Sequence, residues 1–200
     1  SISVPIILGS AVQNVIALSD SVFLYHKSEE DFAAIGFVSV FYLIIAAIGY
    51  GFSKGGQIII ARRMGEFSYE GAGKSFMAMC YFELFLATLM FFFMYYGTPW
   101  LFKLMLDSES VYNLSLEYIQ YRSYGVFFSY LGVAFFALYT GIARTTFIIF
   151  NAIGLALVNV TLNYLLIFGK MGLPEMGIAG AGLASSIAEA VAFVFFIAYM

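Results

Sequence analysis

Charge is what this sequence has least of. Only 10% of its 200 residues are Asp, Glu, Lys or Arg, against roughly 25% in an ordinary soluble domain. Too few polar groups remain to cover a surface that faces water, so a soluble globular fold is excluded. Disorder is excluded as well, because a disordered chain needs low hydrophobicity and high charge. A single cysteine, Cys80, rules out an internal disulfide framework and a cysteine-based metal centre. A single histidine, His26, rules out a multi-histidine site. The net charge is only −3 and no basic block occurs, so nucleic acid is not an expected partner. The first apolar run lacks the basic flank and cleavage pattern of a signal peptide, and apolar runs continue to the end.

What the sequence does have is apolar surface, 62% of residues, and lipid is the solvent that tolerates it. A spanning helix needs about 20 apolar residues. The unbroken runs read as six spans, at about 3–25, 33–61, 76–97, 122–143, 148–168 and 177–200. A membrane barrel would instead show short segments of strict alternation. The expected fold is therefore an all-α integral membrane protein, a six-transmembrane-helix bundle. The last run is still apolar at Met200, so a further portion of chain is expected. Residues 98–121, beginning Thr98-Pro99-Trp100, read as the longest break, in which Asp107 or Ser108 would cap a helix running into the fourth span. Six spans put both termini on one side. Arg62, Arg63, Lys74 and Arg144 lie in loops on that side, Lys27, Lys103, Lys170 and Arg122 at the other, and the Arg62-Arg63 doublet favours cytoplasmic termini in a cell membrane.

Charged groups inside lipid cost at least a few kcal/mol each and need a reason to be there. Asp20, Lys54, Glu83 and Glu189 are such groups. Asp20 and Asn163 each lie roughly 8 Å from the same side of the membrane, at the 1.5 Å rise per residue of a helix. Asn159 is one turn deeper on the face of Asn163, and Ser185 enters at a comparable depth. These four are expected to meet. A carboxylate with amide and hydroxyl oxygens suits a proton or a small hard cation, since burial favours the neutral acid. Gln13 lies on nearly the same face as Asp20. Lys54 and Glu83 share a second level and are expected to form a structural ion pair. Glu189 lies near the midplane, one turn from Ser185 and Ser186, either as a protonated acid bonded within the bundle or as a second group facing a cavity. Gly49, Gly51, Gly55 and Gly56, with Gly177, Gly180 and Gly182, read as small residues that let helices approach.

Particular residues also carry a family likeness. The stretch Pro5…Gln13-Asn14…Asp20 resembles the first helix of the multidrug and toxic compound extrusion (MATE) transporters. Gly51-Phe52-Ser53…Gln57-Ile58-Ile59-Ile60-Ala61-Arg62-Arg63-Met64-Gly65-Glu66 is similar to their second helix and the loop after it. Tyr139-Thr140-Gly141-Ile142-Ala143-Arg144-Thr145, Asn159-Val160-Thr161-Leu162-Asn163-Tyr164 and Met176-Gly177-Ile178-Ala179-Gly180-Ala181-Gly182 are similar to their fourth, fifth and sixth helices. The resemblance implies one lobe, the N-terminal one, of a twelve-helix antiporter that exports organic, often cationic compounds in exchange for H+ or Na+. Its partners would be a small organic substrate, membrane lipid and a C-terminal six-helix lobe. It implies a coupling-ion site at Asp20, Asn159, Asn163, Ser185 and Tyr139 and no cofactor beyond the coupling ion; Gln13, Gln57 and Glu189 are candidates to line the cavity. Asn163 stands where many members have Asp. A single carboxylate can cycle one proton, so this departure favours proton coupling and leaves Na+ at Asp20 the weaker case. Three rivals remain: a lipid-linked oligosaccharide flippase of the same superfamily, which needs cationic groups in its cavity; an intramembrane enzyme using Asp20, Glu83 and Glu189, whose depths do not converge; and a purely structural helical bundle, which would have no wettable cavity.

Overall fold

The computed structural model describes residues 18–200. Its elements run α1 (residues 18–25), α2 (Glu29–Gly65), α3 (Tyr69–Phe92), a π-helical turn (Phe93–Gly97), α4 (Thr98–Met105), α5 (Glu109–Gly141), α6 (Thr146–Ile167) and α7 (Gly177–Tyr199). No strand occurs among the described residues. Five helices there are long and apolar enough to cross a membrane, α3 to α4 counting as one, so the chain is a multi-pass membrane protein. Successive spans alternate in direction. One end of the bundle carries the turns at Lys27, at residues 106–108 and at Lys170; the other carries the turns after Arg62 and Gly141.

The helix ends are set locally. Ser28 is extended (φ −161°) and its Oγ accepts from the Asp31 amide at 2.9 Å. Glu29, Glu30 and Asp31 in the first turn of α2 and Arg62 and Arg63 in its last complement the helix dipole. Beyond that last turn the neighbouring Arg62 and Arg63 hold the Glu66 carboxyl below the usual glutamate range, first by the Arg62 hydrogen bond. Ser28→Ala removes this cap, worth about 1 kcal/mol. The expected result is a melting midpoint lower by about 1–2 °C for the purified full-length protein, since the shift per kcal/mol shrinks as the chain lengthens; an unchanged midpoint would show that other contacts hold the start of α2.

One boundary differs from the sequence reading, and the expected cap at Ser108 is present. Thr98-Pro99-Trp100 does not open a break: the chain stays helical to Met105. Pro99 lies in the first turn of α4, directly after the π-turn. There a missing N–H removes no regular helical bond. The real break is Leu106–Ser108, and Ser108 caps α5 through its Oγ, which accepts from the Val111 amide at 3.4 Å. Because α5 starts at Glu109, Arg122 is not at a span end. It lies thirteen residues into the helix, about 20 Å along it.

α5 is the central helix, packed against α2, α3 and α7, with α6 on the far side of α7. In lipid, such packing rests on close approach and interhelical hydrogen bonds rather than on hydrophobic burial. The Tyr130 ring of α5 lies over Gly49 of α2, where a Cβ would come within 3.1 Å of it. Its hydroxyl donates to the Ile45 carbonyl at 2.6 Å. Gly56 admits the Met79 side chain of α3 in the same way, whereas Gly51 and Gly55 face open space and mediate no approach.

Candidate functional site

α6 places Asn151, Leu155, Asn159 and Asn163 four residues apart, on one face, and that whole row is buried. An amide turned to lipid would go unbonded, so the row fixes which side of α6 faces its neighbours. Asn163 Nδ2 donates to Asp20 Oδ1 of α1 and, at 3.0 Å, to Asn159 Oδ1. Asn159 Nδ2 donates to Ser185 Oγ of α7 at 3.0 Å. Asp20 is 5% exposed, Asn159 1%, Asn163 0% and Ser185 7%. The four residues expected to meet from their depths are therefore in one network joining three helices. Among the described residues Asn163 Oδ1 receives no donor.

Next to this network lies a charge pair. Arg122 of α5 forks onto Glu189 of α7, Nη1 to Oε2 at 2.7 Å and Nη2 to Oε1 at 2.5 Å. The guanidinium carbon stands 3.8 Å from the ring centre of Tyr42 on α2, a cation–π contact. Arg122 is 4% exposed. Two expectations change here. Glu189 is bonded to an arginine rather than to Ser185 or Ser186; the Ser186 hydroxyl donates to the Tyr121 carbonyl at 2.9 Å instead. The intramembrane charges also include a second cation, Arg122, which the reading of residues 98–121 as a break had put at the surface.

Asp20, Tyr42, Arg122, Ser185 and Glu189 all line one cavity of about 570 Å³ between α2, α5, α6 and α7. Its remaining wall is largely aromatic and small, including Tyr50, Phe128, Phe136, Phe193 and Asn151. Asn151 Oδ1 also receives no donor. The depth estimate had kept Asp20 and Glu189 apart; they share this cavity. They do not form a pair of free carboxylates, because both Glu189 oxygens are bonded to Arg122.

Other expected residues fall elsewhere. Tyr139 is two residues from the C-terminal end of α5, at the opposite end of the bundle from Asp20. Its hydroxyl donates to the Phe196 carbonyl at 3.2 Å and its ring stacks on Phe196, so it is not part of the Asp20 network. Lys54 and Glu83 do not pair. Ser53, the neighbour of Lys54, faces α3 and donates to Glu83 Oε1 at 2.7 Å. One residue further on, a helix has turned by about 100°, so Lys54 faces α5. There its ammonium donates to Gln57 Oε1 at 3.1 Å and stands 5.6 Å from the Phe136 ring centre. Gln57 lines this small recess with Lys54, beside the main cavity. Gln13, Pro5 and Asn14 lie outside the described residues. Among the described residues no group of three or more His, Cys, Asp or Glu side chains is placed to hold a metal ion. At the Lys27 end, Lys27 Nζ meets Glu175 Oε1 at 2.9 Å and ties the turn after α1 to the turn before α7. That hydrogen bond and charge hold the Glu175 carboxyl below the usual glutamate range.

Comparison with known proteins gives consistent relatives. A family model described as MatE matches residues 5–165. A probable multidrug resistance protein NorM of Photorhabdus laumondii is 26% identical over 197 residues, which cover 98% of this chain and 43% of that protein. One of the same description from Agrobacterium fabrum is 24% identical over 204 residues, covering 100% and 43%. Among solved structures, the outward-facing conformation of a multidrug resistance MATE family transporter of the MOP superfamily superposes with a TM-score of 0.91 at 22% identity, over 99% of this chain and 43% of that one. A MOP superfamily transporter from Pyrococcus furiosus, described by the reverse polarity of its binding pocket, gives 0.90 at 22%, over 99% and 43%. The chain thus spans less than half the length of the curated relatives it matches.

Proposed function

This chain belongs to the MatE family, and from that membership we propose that it forms the N-terminal lobe of a secondary antiporter that exports organic, often cationic compounds in exchange for protons. The observation that carries the reading is Asp20. It is a carboxylate 5% exposed, held by the neutral Asn163 amide at the wall of a cavity with aromatic faces, and among the described residues no lysine or arginine is bonded to it. A group so placed can exchange its charge for a proton without breaking an ion pair. One carboxylate in an otherwise neutral network accounts for one proton.

In this mechanism the loaded lobe has Asp20 charged and accepting from Asn163. A proton arriving from outside neutralises Asp20 and weakens that charge-assisted bond. α1 is then released from the α6–α7 network, and the cavity loses the negative charge that favoured a cation. Two lobes rocking around the cavity would expose it to one side and then the other. The Arg62, Arg63, Lys74 and Arg144 loops would lie in the cytoplasm of a cell-membrane protein, which places Asp20 in the outer half. A flippase for a lipid pyrophosphate would need a free cation in the cavity, and the Arg122 guanidinium is already bonded to Glu189. An intramembrane hydrolase would need a second free carboxylate beside Asp20, and Glu189 is not free.

The test is transport by the full-length protein in proteoliposomes, with proton and sodium gradients imposed separately and a fluorescent organic cation as substrate. An imposed proton gradient should drive uptake and a sodium gradient at matched pH should not. Uptake driven by sodium alone, or by neither gradient, would overturn the reading.

A further inference from the structure

We propose that Glu189 is a positioning residue that keeps the Arg122 guanidinium away from Asp20, so that the coupling carboxylate stays without a counter-ion and must take its positive charge as a proton. The inference rests on the reading of Asp20 as the coupling group and adds a reason why that group remains available.

The geometry sets up a competition. Ser185, the α7 member of the Asp20 network, is four residues from Glu189 on the same helix, which is one turn, about 6 Å along it. Asp20, Arg122 and Glu189 line one cavity, and among the described residues Asp20 is the only other carboxylate on that lining. A buried guanidinium must be paired, and here two carboxylates are within its surroundings. Glu189 takes both of its terminal nitrogens, and the Tyr42 ring covers its face. Gly125 supplies the space: a Cβ there would run into Arg122 Nη1 and would come within 3.0 Å of Ser186 Cα. Among the described residues, the titratable and charged groups that line the cavity with Asp20 are Tyr42 and Tyr50 on α2, Tyr118 and Arg122 on α5, and Glu189 on α7; α6 brings the neutral Asn151 to the cavity and the neutral Asn159 and Asn163 to the Asp20 network. Arg122 is thus the one cation among these described groups able to substitute for the proton, and Glu189 is what occupies it.

Removing Glu189 should send Arg122 to Asp20. A fixed positive charge then stands where the proton belongs, and a lower pH is needed to displace it. Removing Arg122 should do the opposite, because Asp20 loses a nearby positive charge and faces an uncompensated Glu189. The two single substitutions therefore act in opposite directions. A pair that only fastened α5 to α7 would give two variants weakened in the same sense.

The experiment is the pH dependence of organic-cation transport by the full-length protein in proteoliposomes, for wild type, E189Q, R122Q and R122Q/E189Q. The pH of half-maximal transport should move acidward by about one unit or more in E189Q and alkaline by a similar amount in R122Q. In the double variant it should return close to wild type. E189D, which keeps the charge but shortens the reach, should fall between wild type and E189Q and serves if E189Q does not fold. Shifts in the same direction, or none in any folded variant, overturn the inference. The parallel control is D20N. If D20N still transports with a proton dependence, the failure belongs to the reading of Asp20; if D20N loses it while E189Q and R122Q do not diverge, the failure belongs to Glu189.

Discussion

Proton-driven transport should fall by on the order of 100-fold when Asp20 is replaced by asparagine in the full-length protein, the upper part of the range for a coupling free energy of a few kcal/mol. The substitution keeps the shape of the site. An asparagine amide oxygen at position 20 can still accept from Asn163 Nδ2, as Asp20 Oδ1 does, and Asn159 can still donate to Ser185. The new side chain brings two amide N–H donors into the site, and Asn163 Oδ1, which receives no donor among the described residues, is an acceptor beside them, so the bundle should melt within a few degrees of wild type. What is lost is the ability to change charge. The lobe is held in a state like the one with Asp20 protonated, so a proton gradient has nothing to act on.

The discriminating measurement is counterflow, in which unlabelled substrate inside the vesicle exchanges for labelled substrate outside with no ion gradient. The neutral variant should retain part of this exchange while losing the response to a pH jump. Proton-driven uptake within about threefold of wild type would remove Asp20 as the coupling group, since that corresponds to less than 1 kcal/mol of coupling.

The depth of each polar residue was legible in the sequence, and its direction around the helix axis was not. Rise per residue is fixed, so counting from span ends put Asp20, Asn159, Asn163 and Ser185 within about a turn of each other in one half of the bundle, and the i,i+4 spacing of the two asparagines put them on one face. The same count put Lys54 level with Glu83, but adjacent residues point about 100° apart. The side chain that reaches Glu83 is Ser53. Nothing in an apolar span with glycines at Gly49, Gly51, Gly55 and Gly56 marks which face meets α3. Arg122 was missed for a different reason: its depth depends on where α5 begins. Ser108 followed by Glu109 reads as a cap, but depth was counted from residue 122; counted from Glu109, Arg122 falls thirteen residues into the helix. Tyr139 followed from family likeness rather than from depth, and its position two residues from a helix end argues against the placement.

Gly182→Val should prevent the protein from accumulating as a folded, extractable transporter, and Gly182→Ala should cost about 1–3 kcal/mol, the usual penalty for overpacking a tight contact. α7 runs between α5 and α6 with no room on either side. A Cβ on Gly182 would stand 2.5 Å from the Tyr118 carbonyl oxygen of α5, and one on Gly180 would stand 2.8 Å from the Leu166 carbonyl carbon at the end of α6. Both obstacles are backbone, so no rotamer change relieves them and the helix itself must move. Moving α7 away from α5 also moves Ser185, less than one turn on, away from Asn159, and Glu189 away from Arg122. The expected signature is a joint loss: a lower melting midpoint, and a weakened response to pH in whatever fraction folds. Gly51→Ala is the control, because a Cβ there meets nothing within 4 Å and alanine favours a helix interior by roughly 0.5–1 kcal/mol. Its midpoint should stay level or rise. If Gly182→Ala melts no lower than Gly51→Ala, α7 is not held against α5 by backbone contact, and the position of Glu189 must be fixed by its bond to Arg122 alone.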